Sequence, residues 1–489
     1  MTGQLLIGDV FRGAARAAPT RMAAALGNES LTFAELDAAA NRTARALRSR
    51  GVGVGARVAL WSDTTLESVP VFAALAKLGA VFVPLNGEWR VDEAAAVLTR
   101  VRPALLVVDP GRSADGSSLG DEFGFDTVTL GELARLSVSE SAHDVDEAVS
   151  ENDPHVVFYT SGSSGSPKGA VLSHRANVLR SLPGALLEPR GAMVCPYPLF
   201  HMGAWTIALQ QWQARDAVVF VRSAVAREIG EAVQRHGATR LNCVPAVWVR
   251  LVGARSDGER GAYDLSSIRF ADTGTSATPP ELLRTIANAL PQAQVRVFYG
   301  STEAGGVTVL GHADIMRKPG SCGVPGPLTT VRVDLQGRLW VRGPLLFDGY
   351  LDDPEATAEV LVDGWYDTGD LAETDDEGYL TIVGRARDVI RTGGETVAPP
   401  EVEAVLGALP GVSDVAVVGV PDVEWGEIVC AVVVVASGEP VPELADLRAA
   451  CTGKLATYKH PRRLAVVEKI PRTASTGQVQ RRLLVELVG

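Results

Sequence analysis

The 489-residue chain lacks several features that mark other classes of protein. Its five cysteines are scattered and never stand in CxxC spacing, and its seven histidines show no ligand spacing. The sequence therefore offers no zinc site and suits a reduced compartment. The formal net charge is −12, whereas a nucleic-acid-binding protein would normally show a basic patch. We expect no structural zinc and no nucleic-acid partner.

Long hydrophobic runs are also absent. The longest, IVCAVVVVA at 428–436, is too short to span a bilayer and predicts a buried strand. The N-terminus lacks the basic segment and apolar core of a signal peptide. With 46% apolar and 21% charged residues, the composition is that of an ordinary globular protein. We expect a cytoplasmic location and no membrane span.

Short apolar strands alternate with helical patterns through the first part of the chain. Examples of such strands are ARVALWS (56–62), VFVPL (81–85), ALLVVD (104–109), AVVFVR (217–222) and VRVFYG (295–300). This alternation is typical of parallel sheets covered by helices on both faces. The sequence therefore predicts an α/β fold whose large N-terminal domain consists of stacked, helix-covered sheets.

The pattern changes after about residue 323. Short strands and turns follow, with a predicted hairpin around Gln336-Gly337. Beyond 384–385 a second unit begins, in which a helix at 399–409 precedes strands such as DVAVVGV. We place the domain boundary between residues 385 and 386, so that 1–385 form the large domain and 386–489 a small α+β domain.

The Gly/Ser-rich stretch YTSGSSGSPKG at 159–169 has two interpretations. Alone, it could be a flexible linker. It lies, however, between apolar segments that predict buried strands, and its glycines, hydroxyls and Lys168 could close around a phosphate. It is not a Walker A loop, because Pro167 precedes the lysine and Gly169 follows it.

Together with other motifs, this loop resembles the signature of the AMP-forming adenylating enzymes, a family that includes acyl-CoA synthetases and peptide-synthetase adenylation domains. The further similar motifs, in the family's order, are PLFHMGAW (198–205), ADTGTSATPPEL (271–282), VFYGSTEAGG (297–306), GWYDTGDLA (364–372) and GRARDVIRTGGETVAPPEVE (384–403). The resemblance covers nearly the whole chain. It implies that the small C-terminal domain is hinged and that ATP and Mg²⁺ are used.

The resemblance also implies roles for individual residues. Tyr299 would stack on adenine, Thr302 would contact the α-phosphate, and Glu303 would hold Mg²⁺. Asp370 would accept from the ribose hydroxyls. The implied catalytic residues are Lys168, His201, Thr302, Glu303 and the tail position Gln478. The implied nucleotide-binding residues are Thr160, Ser161, Gly162, Ser163, Ser164, Gly165, Gly274, Thr275, Ser276, Tyr299, Gly300, Ser301, Thr302, Asp370, Arg385, Gly393, Gly394 and Glu395.

The acyl pocket is a further implication of the resemblance. Its implied lining residues are Phe200, His201, Trp205, Val244, Trp248, Gly305 and Gly306. The aromatics favour a compact aryl or medium acyl group, whereas the two glycines leave depth for a longer one. For His201 and Trp248 the alternative is a packed core side chain.

The tail departs from the family pattern. The family carries a lysine that bridges the substrate carboxylate and the α-phosphate, but here Gln478 follows Gly477 and the loop holds one extra residue. A neutral amide cannot neutralise the charge that develops there. A neighbouring cation could substitute; the candidates are Lys459, Lys469, Arg472, Arg481 and Arg482. Arg387 replaces the usual Asp or Lys of the hinge, a change that an exposed hinge tolerates.

The implied reaction has two steps, in which a carboxylic acid is adenylated and then transferred to a thiol. Residues 393–395 (GGE) resemble CoA ligases more than adenylation domains, so CoA is the favoured co-substrate. The first alternative is a specialised relative, such as an ATP-dependent diazotase that couples nitrite to an arylamine, or an amide synthetase. The second is a non-catalytic nucleotide-binding protein. A homodimer is left open.

Overall fold

The computed structural model describes residues 3–145, 147–160, 167–186, 188–253, 263–473 and 477–489. The chain forms two compact units. Unit 1 comprises Met1–Pro319, Pro325–Thr330 and Arg342–Tyr366, and unit 2 comprises Gly320–Val324, Val331–Val341 and Asp367–Gly489. The boundary predicted from the sequence, between residues 385 and 386, falls within unit 2 and stays a prediction.

The strands of these described residues are, in chain order, β1 (Met22–Leu26), β2 (Glu29–Thr32), β3 (Arg57–Trp61), β4 (Val81–Leu85), β5 (Leu105–Val108), β6 (Asp126–Thr129), β7 (Pro154–Thr160), β8 (Lys168–Ser173), β9 (Met193–Cys195), β10 (Val218–Phe220), β11 (Arg240–Cys243), β12 (Phe270–Gly274), β13 (Gln294–Ser301), β14 (Gly305–Leu310), β15 (Val324–Pro325), β16 (Thr330–Val333), β17 (Arg338–Arg342), β18 (Gly349–Tyr350), β19 (Leu361–Val362), β20 (Trp365–Thr374), β21 (Leu380–Arg385), β22 (Ile390–Thr392), β23 (Glu395–Val397), β24 (Val412–Asp422), β25 (Gly426–Val435) and β26 (Arg463–Val466).

The α-helices of the same residues are α1 (Ile7–Ala17), α2 (Phe33–Arg48), α3 (Ser68–Leu78), α4 (Val91–Val101), α5 (Ser113–Phe123), α6 (Leu130–Val138), α7 (His174–Ala185), α8 (Met202–Ala214), α9 (Ala226–His236), α10 (Pro245–Gly253), α11 (Pro280–Ala289), α12 (Pro354–Val360), α13 (Pro399–Leu406), α14 (Leu444–Cys451) and α15 (Arg481–Val488). Local sequence explains where some of them begin. Helix α2, for instance, starts at a capping box, in which Thr32 and Glu35 each accept from the other's backbone N–H.

Two large, mainly parallel sheets form the frame of unit 1. One has the strand order β15-β14-β13-β12-β11-β9-β10-β1-β2, and the other has the order β18-β8-β7-β4-β3-β5-β6. Within them, β3, β4 and β5 run parallel, as do β11, β12 and β13. The alternation of strands and helices in the sequence predicted this α/β architecture, and the structure confirms it.

The parallel strands bring distant segments to one edge of the nine-stranded sheet. In the register, Cys243 pairs with Thr273, and Gly274 at the end of β12 pairs with Phe298 of β13. Because the carboxyl ends of parallel strands meet at the same edge, the segments that follow β9, β11, β12 and β13 begin side by side. In open α/β sheets this edge is where ligands bind.

The two remaining sheets are smaller. One has the strand order β16-β17-β20-β19, with β21 beside β20, and it contains the predicted hairpin at Gln336-Gly337, where Gly337 adopts a φ of 77°. A second sheet has the order β23-β22-β25-β24, with β26 beside β25. The apolar run at 428–436 lies largely in β25 and is mostly buried, as predicted. Within the described residues, no helix combines the length and apolar character needed to cross a membrane.

Candidate active site

The hairpin of β7 and β8 carries the ends of the Gly/Ser-rich loop. Thr160 at the end of β7 pairs with Lys168 at the start of β8. Residues Ser161, Gly162, Ser163, Ser164 and Gly165 lie outside the described residues. The ammonium of Lys168 lies 5.2 Å from the ring centroid of Tyr350, a cation–π geometry. Lys168 therefore has a defined position at the open end of a rigid hairpin.

The turn between β13 and β14 holds the predicted metal ligand. Glu303 is 8% exposed, and its Oε1 accepts a hydrogen bond of 3.1 Å from the hydroxyl of Tyr350. Tyr350 is in turn hydrogen-bonded to Tyr366, and Tyr366 to Ser301. Burial raises the pKa of both tyrosines, so they remain neutral donors. This chain of hydroxyls fixes one carboxylate oxygen of Glu303 and joins it to the side chain that contacts Lys168.

Arg180 of α7 holds the backbone of the same turn. Its guanidinium donates to the backbone carbonyls of Thr302 (2.9 Å), Glu303 (3.0 Å) and Leu345 (2.8 Å). Burial lowers the pKa of Arg180 to about 10, and the nearby Glu303 carboxylate opposes that shift. The guanidinium thus stays charged at neutral pH and immobilises the backbone that presents Thr302 and Glu303. Sequence analysis did not identify Arg180.

Glycines of the β12–β13–β14 edge are required by close backbone approach. A Cβ on Gly300 would lie 2.1 Å from the carbonyl oxygen of Gly305, and one on Gly274 would lie 2.3 Å from that of Phe298. Gly305 has a φ of 72°. The neighbouring Gly306 is exposed, whereas Tyr299 is half-buried in β13. The predicted nucleotide-binding residues 299–302 and 274–276 therefore begin from directly adjoining strand ends.

Thr275 adopts an unusual backbone conformation. Its φ is 69°, a left-handed value that costs a β-branched residue roughly 1–3 kcal/mol. Its side chain is hydrogen-bonded to Tyr197, whose hydroxyl also donates to Oδ1 of Asn242 at 2.8 Å. The half-buried Ser276 follows it. Hydrogen bonds among Asn242 in β11, Tyr197 after β9 and Thr275 after β12 thus form a polar relay that holds Thr275 in a strained position.

His201 is the N-cap residue of helix α8 and lies beside this relay. Its Nδ1 accepts from the backbone N–H of Gly203 at 3.1 Å, and its ring stacks on Tyr197 with centroids 5.8 Å apart. Burial lowers the pKa of His201 to about 4, so the ring is neutral near pH 7. Because Nδ1 is an acceptor, the ring proton is on Nε2, where it can be donated to a ligand.

The remaining predicted pocket residues fall into two groups. Phe200 and Val244 are half-buried. Trp205 and Trp248 are buried, and their indole N–H groups donate to the carbonyls of Leu199 (2.6 Å) and Asp272 (2.8 Å). Trp205 also stacks on Phe72 at 4.0 Å. This packing favours the core alternative for Trp248 and extends it to Trp205; a pocket role for either stays a prediction.

Within unit 2, Asp370 and Arg385 face each other. Asp370 pairs with Arg385 across β20 and β21, and their side chains form an ion pair of 2.7 Å. Asp370 is 5% exposed. The two residues predicted to contact the nucleotide thus form an ion pair, in which Arg385 orients the carboxylate of Asp370.

The GGE segment forms a tight hairpin in unit 2. Gly393 and Gly394 have φ values of 59° and 84° and connect β22 to β23, with Thr392 opposite Glu395. A Cβ on Gly393 would lie 2.6 Å from the ring of Trp425. The positive φ values of the turn favour glycine at both positions. At Gly393 the indole of Trp425 also leaves no room for a side chain.

Gln478 lies in an exposed loop that is closed on itself. Its carbonyl accepts from the N–H of Thr473 at 2.8 Å, and its own N–H donates to the hydroxyl of Thr473 at 3.1 Å. Of the cations considered as substitutes for the family lysine, four are in ion pairs: Arg472 with Asp414, Arg481 with Glu403, Lys459 with Glu401 and Arg482 with Glu486. Lys469 is exposed.

A magnesium ion fits the residues around Glu303. Among the residues that the structure describes, no three His, Cys, Asp or Glu side chains are grouped to hold a metal by themselves. One buried carboxylate with a single hydroxyl donor is nevertheless suitable, because Mg²⁺ commonly binds one or two carboxylates together with phosphate oxygens and water. Glu303 could supply that carboxylate.

These features combine an α/β fold with a lysine-bearing hairpin and a buried acidic turn, an arrangement that suits a nucleotide-binding enzyme. The family model for the AMP-binding enzyme matches residues 11–351, and that for the AMP-binding enzyme C-terminal domain matches residues 401–476. The chain belongs to the AMP-binding enzyme family. The resemblance drawn from the sequence motifs is thereby confirmed.

Individual relatives agree with this assignment. The chain is 35% identical to a feruloyl-CoA synthase of Amycolatopsis sp, covering 96% of this chain and 97% of the relative. It is 32% identical to an indoleacetate–CoA ligase of Aromatoleum aromaticum, covering 96% of each. ATP-bound MatB from Rhodopseudomonas palustris has a TM-score of 0.89 at 28% identity, with 98% of each chain covered. The predicted enzyme class, an AMP-forming acid–CoA ligase, is confirmed, and neither the diazotase, amide-synthetase nor non-catalytic alternative is favoured.

Proposed function

We propose that the protein uses Mg-ATP to convert a carboxylic acid into an acyl-adenylate and then transfers the acyl group to CoA. The observation that carries this proposal is the connected set of Lys168, Tyr350 and Glu303. It combines a cation for phosphates with a buried carboxylate for the metal, on adjoining rigid elements of unit 1. The catalysis of such a reaction is mainly positioning and electrostatic stabilisation.

In the first step a carboxylate oxygen attacks the α-phosphorus of ATP, and the bond to the β-phosphate oxygen breaks to release pyrophosphate. Lys168 binds the departing phosphates. The hydroxyl of Thr302 contacts the α-phosphate. Arg180 holds the backbone of Thr302 in place for this contact by donating to its carbonyl. A magnesium ion at Glu303 would neutralise charge on the phosphates. Tyr299 stacks on adenine, and Asp370, oriented by Arg385, accepts the ribose hydroxyls.

In the second step the CoA thiolate attacks the acyl carbonyl, and AMP leaves with the bonding electrons. Before this transfer, in the first step, His201 donates a hydrogen bond from Nε2 that orients the carboxylate of the acid. The hairpin at Gly393, Gly394 and Glu395 presents backbone to the pantetheine arm. In this proposal residues 386–489 form the hinged domain that moves between the steps.

The acid is proposed to be an aryl-substituted or medium-chain carboxylic acid. The named activities of the feruloyl-CoA synthase and the indoleacetate–CoA ligase support the aryl choice. The half-buried Phe200 and the exposed Gly306 leave apolar contact and space for such a group. A cytoplasmic location completes the proposal, and a homodimer is left open.

A product assay tests the proposed function. The protein is incubated with Mg-ATP and a panel of aryl and aliphatic acids, with and without CoA, and separately with nitrite and arylamines. We expect AMP and acyl-CoA in equal amounts, with mass spectrometry identifying the thioester. Absence of AMP with every acid would reject the proposal. AMP that requires nitrite and an arylamine but not CoA would replace it with the diazotase.

A further inference from the structure

Two histidines are buried side by side in unit 1 and have no part in the proposed function. His155 of β7 and His174, the first residue of α7, are both 0% exposed, and their ring centroids lie 4.7 Å apart. Within the described part of the chain, the Nε2 atom of each ring is buried and has no hydrogen-bond partner. Such a pair calls for an explanation, because an unpaired buried polar atom costs free energy.

The other nitrogen of each ring defines its protonation state. Nδ1 of His174 accepts from the backbone N–H of Ile7 at 3.3 Å, and Nδ1 of His155 accepts from the side-chain amide of Asn177 at 3.1 Å. An imidazole that accepts through Nδ1 is neutral and carries its single proton on Nε2. The amide of Asn177 can turn its oxygen toward a protonated ring, but a backbone N–H cannot. Protonation of His174 therefore breaks the hydrogen bond from Ile7.

That hydrogen bond holds the start of helix α1. Ile7 is the first residue of α1, and the N-cap residue Leu6 makes no side-chain hydrogen bond to the helix. Because the first N–H groups of a helix have no partner within it, His174 supplies an acceptor from a distant segment. Phe11 of the same helix packs against Trp212 of α8, with ring centroids 5.1 Å apart. Release of α1 would therefore expose an aromatic cluster.

The surroundings disfavour a charge on either ring. Burial lowers the pKa of His174 to about 4, and burial together with His174 places the pKa of His155 well below its ordinary value. Asp153 and Asp9 act on His174 in the opposite direction. The other charged side chains of α1, α3, α7 and the segment before β7 already have partners: Arg12 with Asp9 and Asp144, Arg16 with Asp144, Lys77 with Asp37 and Asp144, Arg175 with Glu151, and Arg180 with the carbonyls of the Glu303 turn.

We propose that His155 and His174 form an acid-sensitive latch, in which uptake of a proton by His174 releases α1 from the rest of unit 1. An exposed imidazole binds its proton near about pH 6.5, so the released form gains a proton that the docked form excludes. The latch is therefore closed above about pH 6.5 and weakens as the pH falls toward about 4. This inference is independent of the proposed function.

Hydrogen–deuterium exchange of the full chain between about pH 7 and pH 5 tests the latch, with rates corrected for the pH dependence of chemical exchange itself. We expect the protection factor of the α1 amides to fall about tenfold for each pH unit below about 6.5, the linkage of one proton. The amides of β3 and β4, in the middle of the seven-stranded sheet, should keep their protection.

A pair of histidine variants assigns the effect. His174→Asn removes the titrating ring but keeps an acceptor oxygen for Ile7, so the protection of α1 should become nearly independent of pH. His312→Asn is the matched control, because His312 also accepts a backbone N–H through Nδ1, from Val295 at 3.0 Å, but is exposed. This control should keep the pH dependence of the unaltered protein.

Four results would overturn the latch. They are α1 protection that does not change with pH in the unaltered protein, an unchanged pH dependence in His174→Asn, loss of the pH dependence in His312→Asn, or equal loss of protection in β3 and β4. The last would mean that the unit unfolds as a whole in acid. If His174→Asn does not fold, the comparison of α1 with β3 and β4 in the unaltered protein decides alone.

Discussion

The turn at Glu303 in unit 1 and the loop at Gln478 in unit 2 are opposite kinds of environment. Glu303 is buried, its backbone is held by Arg180, and its carboxylate by Tyr350. Gln478 is exposed, and its loop is closed mainly through Thr473. The comparison teaches that the Glu303 turn presents a buried charge fixed by hydrogen bonds, whereas the tail position is exposed and uncharged.

The largest expected effect on activity is at Glu303, the buried member of this comparison. Glu303→Gln removes the buried charge but keeps the shape, so we expect kcat for AMP formation to fall about 10²–10³-fold. Steady-state kinetics over a range of Mg²⁺ concentrations measures it. Glu281→Gln, an exposed change on α11, is the matched control. A Glu303→Gln variant with ordinary kcat would show that this turn does not hold the metal.

Removing Arg180, which binds the backbone of the Glu303 turn, should strongly destabilise the protein. Arg180→Met leaves the carbonyls of Thr302, Glu303 and Leu345 buried without donors, and we expect a loss of about 3–5 kcal/mol in the free energy of unfolding. Denaturant unfolding measures it. Arg284→Met removes an exposed ion pair to Glu281 instead and should cost less than about 1 kcal/mol. Similar losses in the two variants would contradict the role given to Arg180.

The exposed tail position is tested by restoring a positive charge there. Gln478→Lys should increase acyl-adenylate formation about tenfold, because a cation can then approach the developing charge. Pyrophosphate–ATP exchange measures this step alone. Gln478→Met, a neutral change of similar length, should give no increase, and thioester formation from a supplied acyl-adenylate should not change. If Gln478→Lys gives no gain, the tail has another role or Lys469 already acts in its place.

The smallest effect concerns the strained residue beside the turn. Thr275→Ala loses the hydrogen bond to Tyr197 but keeps the left-handed backbone, whereas Thr275→Gly relieves that backbone. We therefore expect Thr275→Gly to be more stable than Thr275→Ala by about 1 kcal/mol. Thermal unfolding of the pair measures the difference. Equal stability would mean that the φ of 69° carries no strain.

Much of the architecture could be predicted because its signals are local. The hairpin at Gln336-Gly337 and the apolar strand at 428–436 are each determined by a few neighbouring residues. The family and the enzyme class followed from motifs of the same short range, and the comparisons confirm both. The roles of the individual site residues stay predictions.

The support of the site could not be predicted for a physical reason. Arg180 reaches carbonyls 122 and 123 residues away along the chain, at Thr302 and Glu303. A backbone carbonyl carries no sequence signal, so no pattern around Arg180 reveals its partners. The left-handed Thr275 is similar, because tertiary contacts with Tyr197 impose a conformation that its residue type disfavours.

The relay of Asn242, Tyr197 and Thr275 has a consequence for changing the substrate range of this enzyme. Substitutions at Tyr197 would enlarge the space next to His201, but they would also release the contact that holds Thr275 in place. If His201 lines the acyl pocket as proposed, selectivity and fold stability are linked at this position. A library that varies Tyr197 alone should be poor in folded members, whereas one that also admits glycine at 275 should recover them.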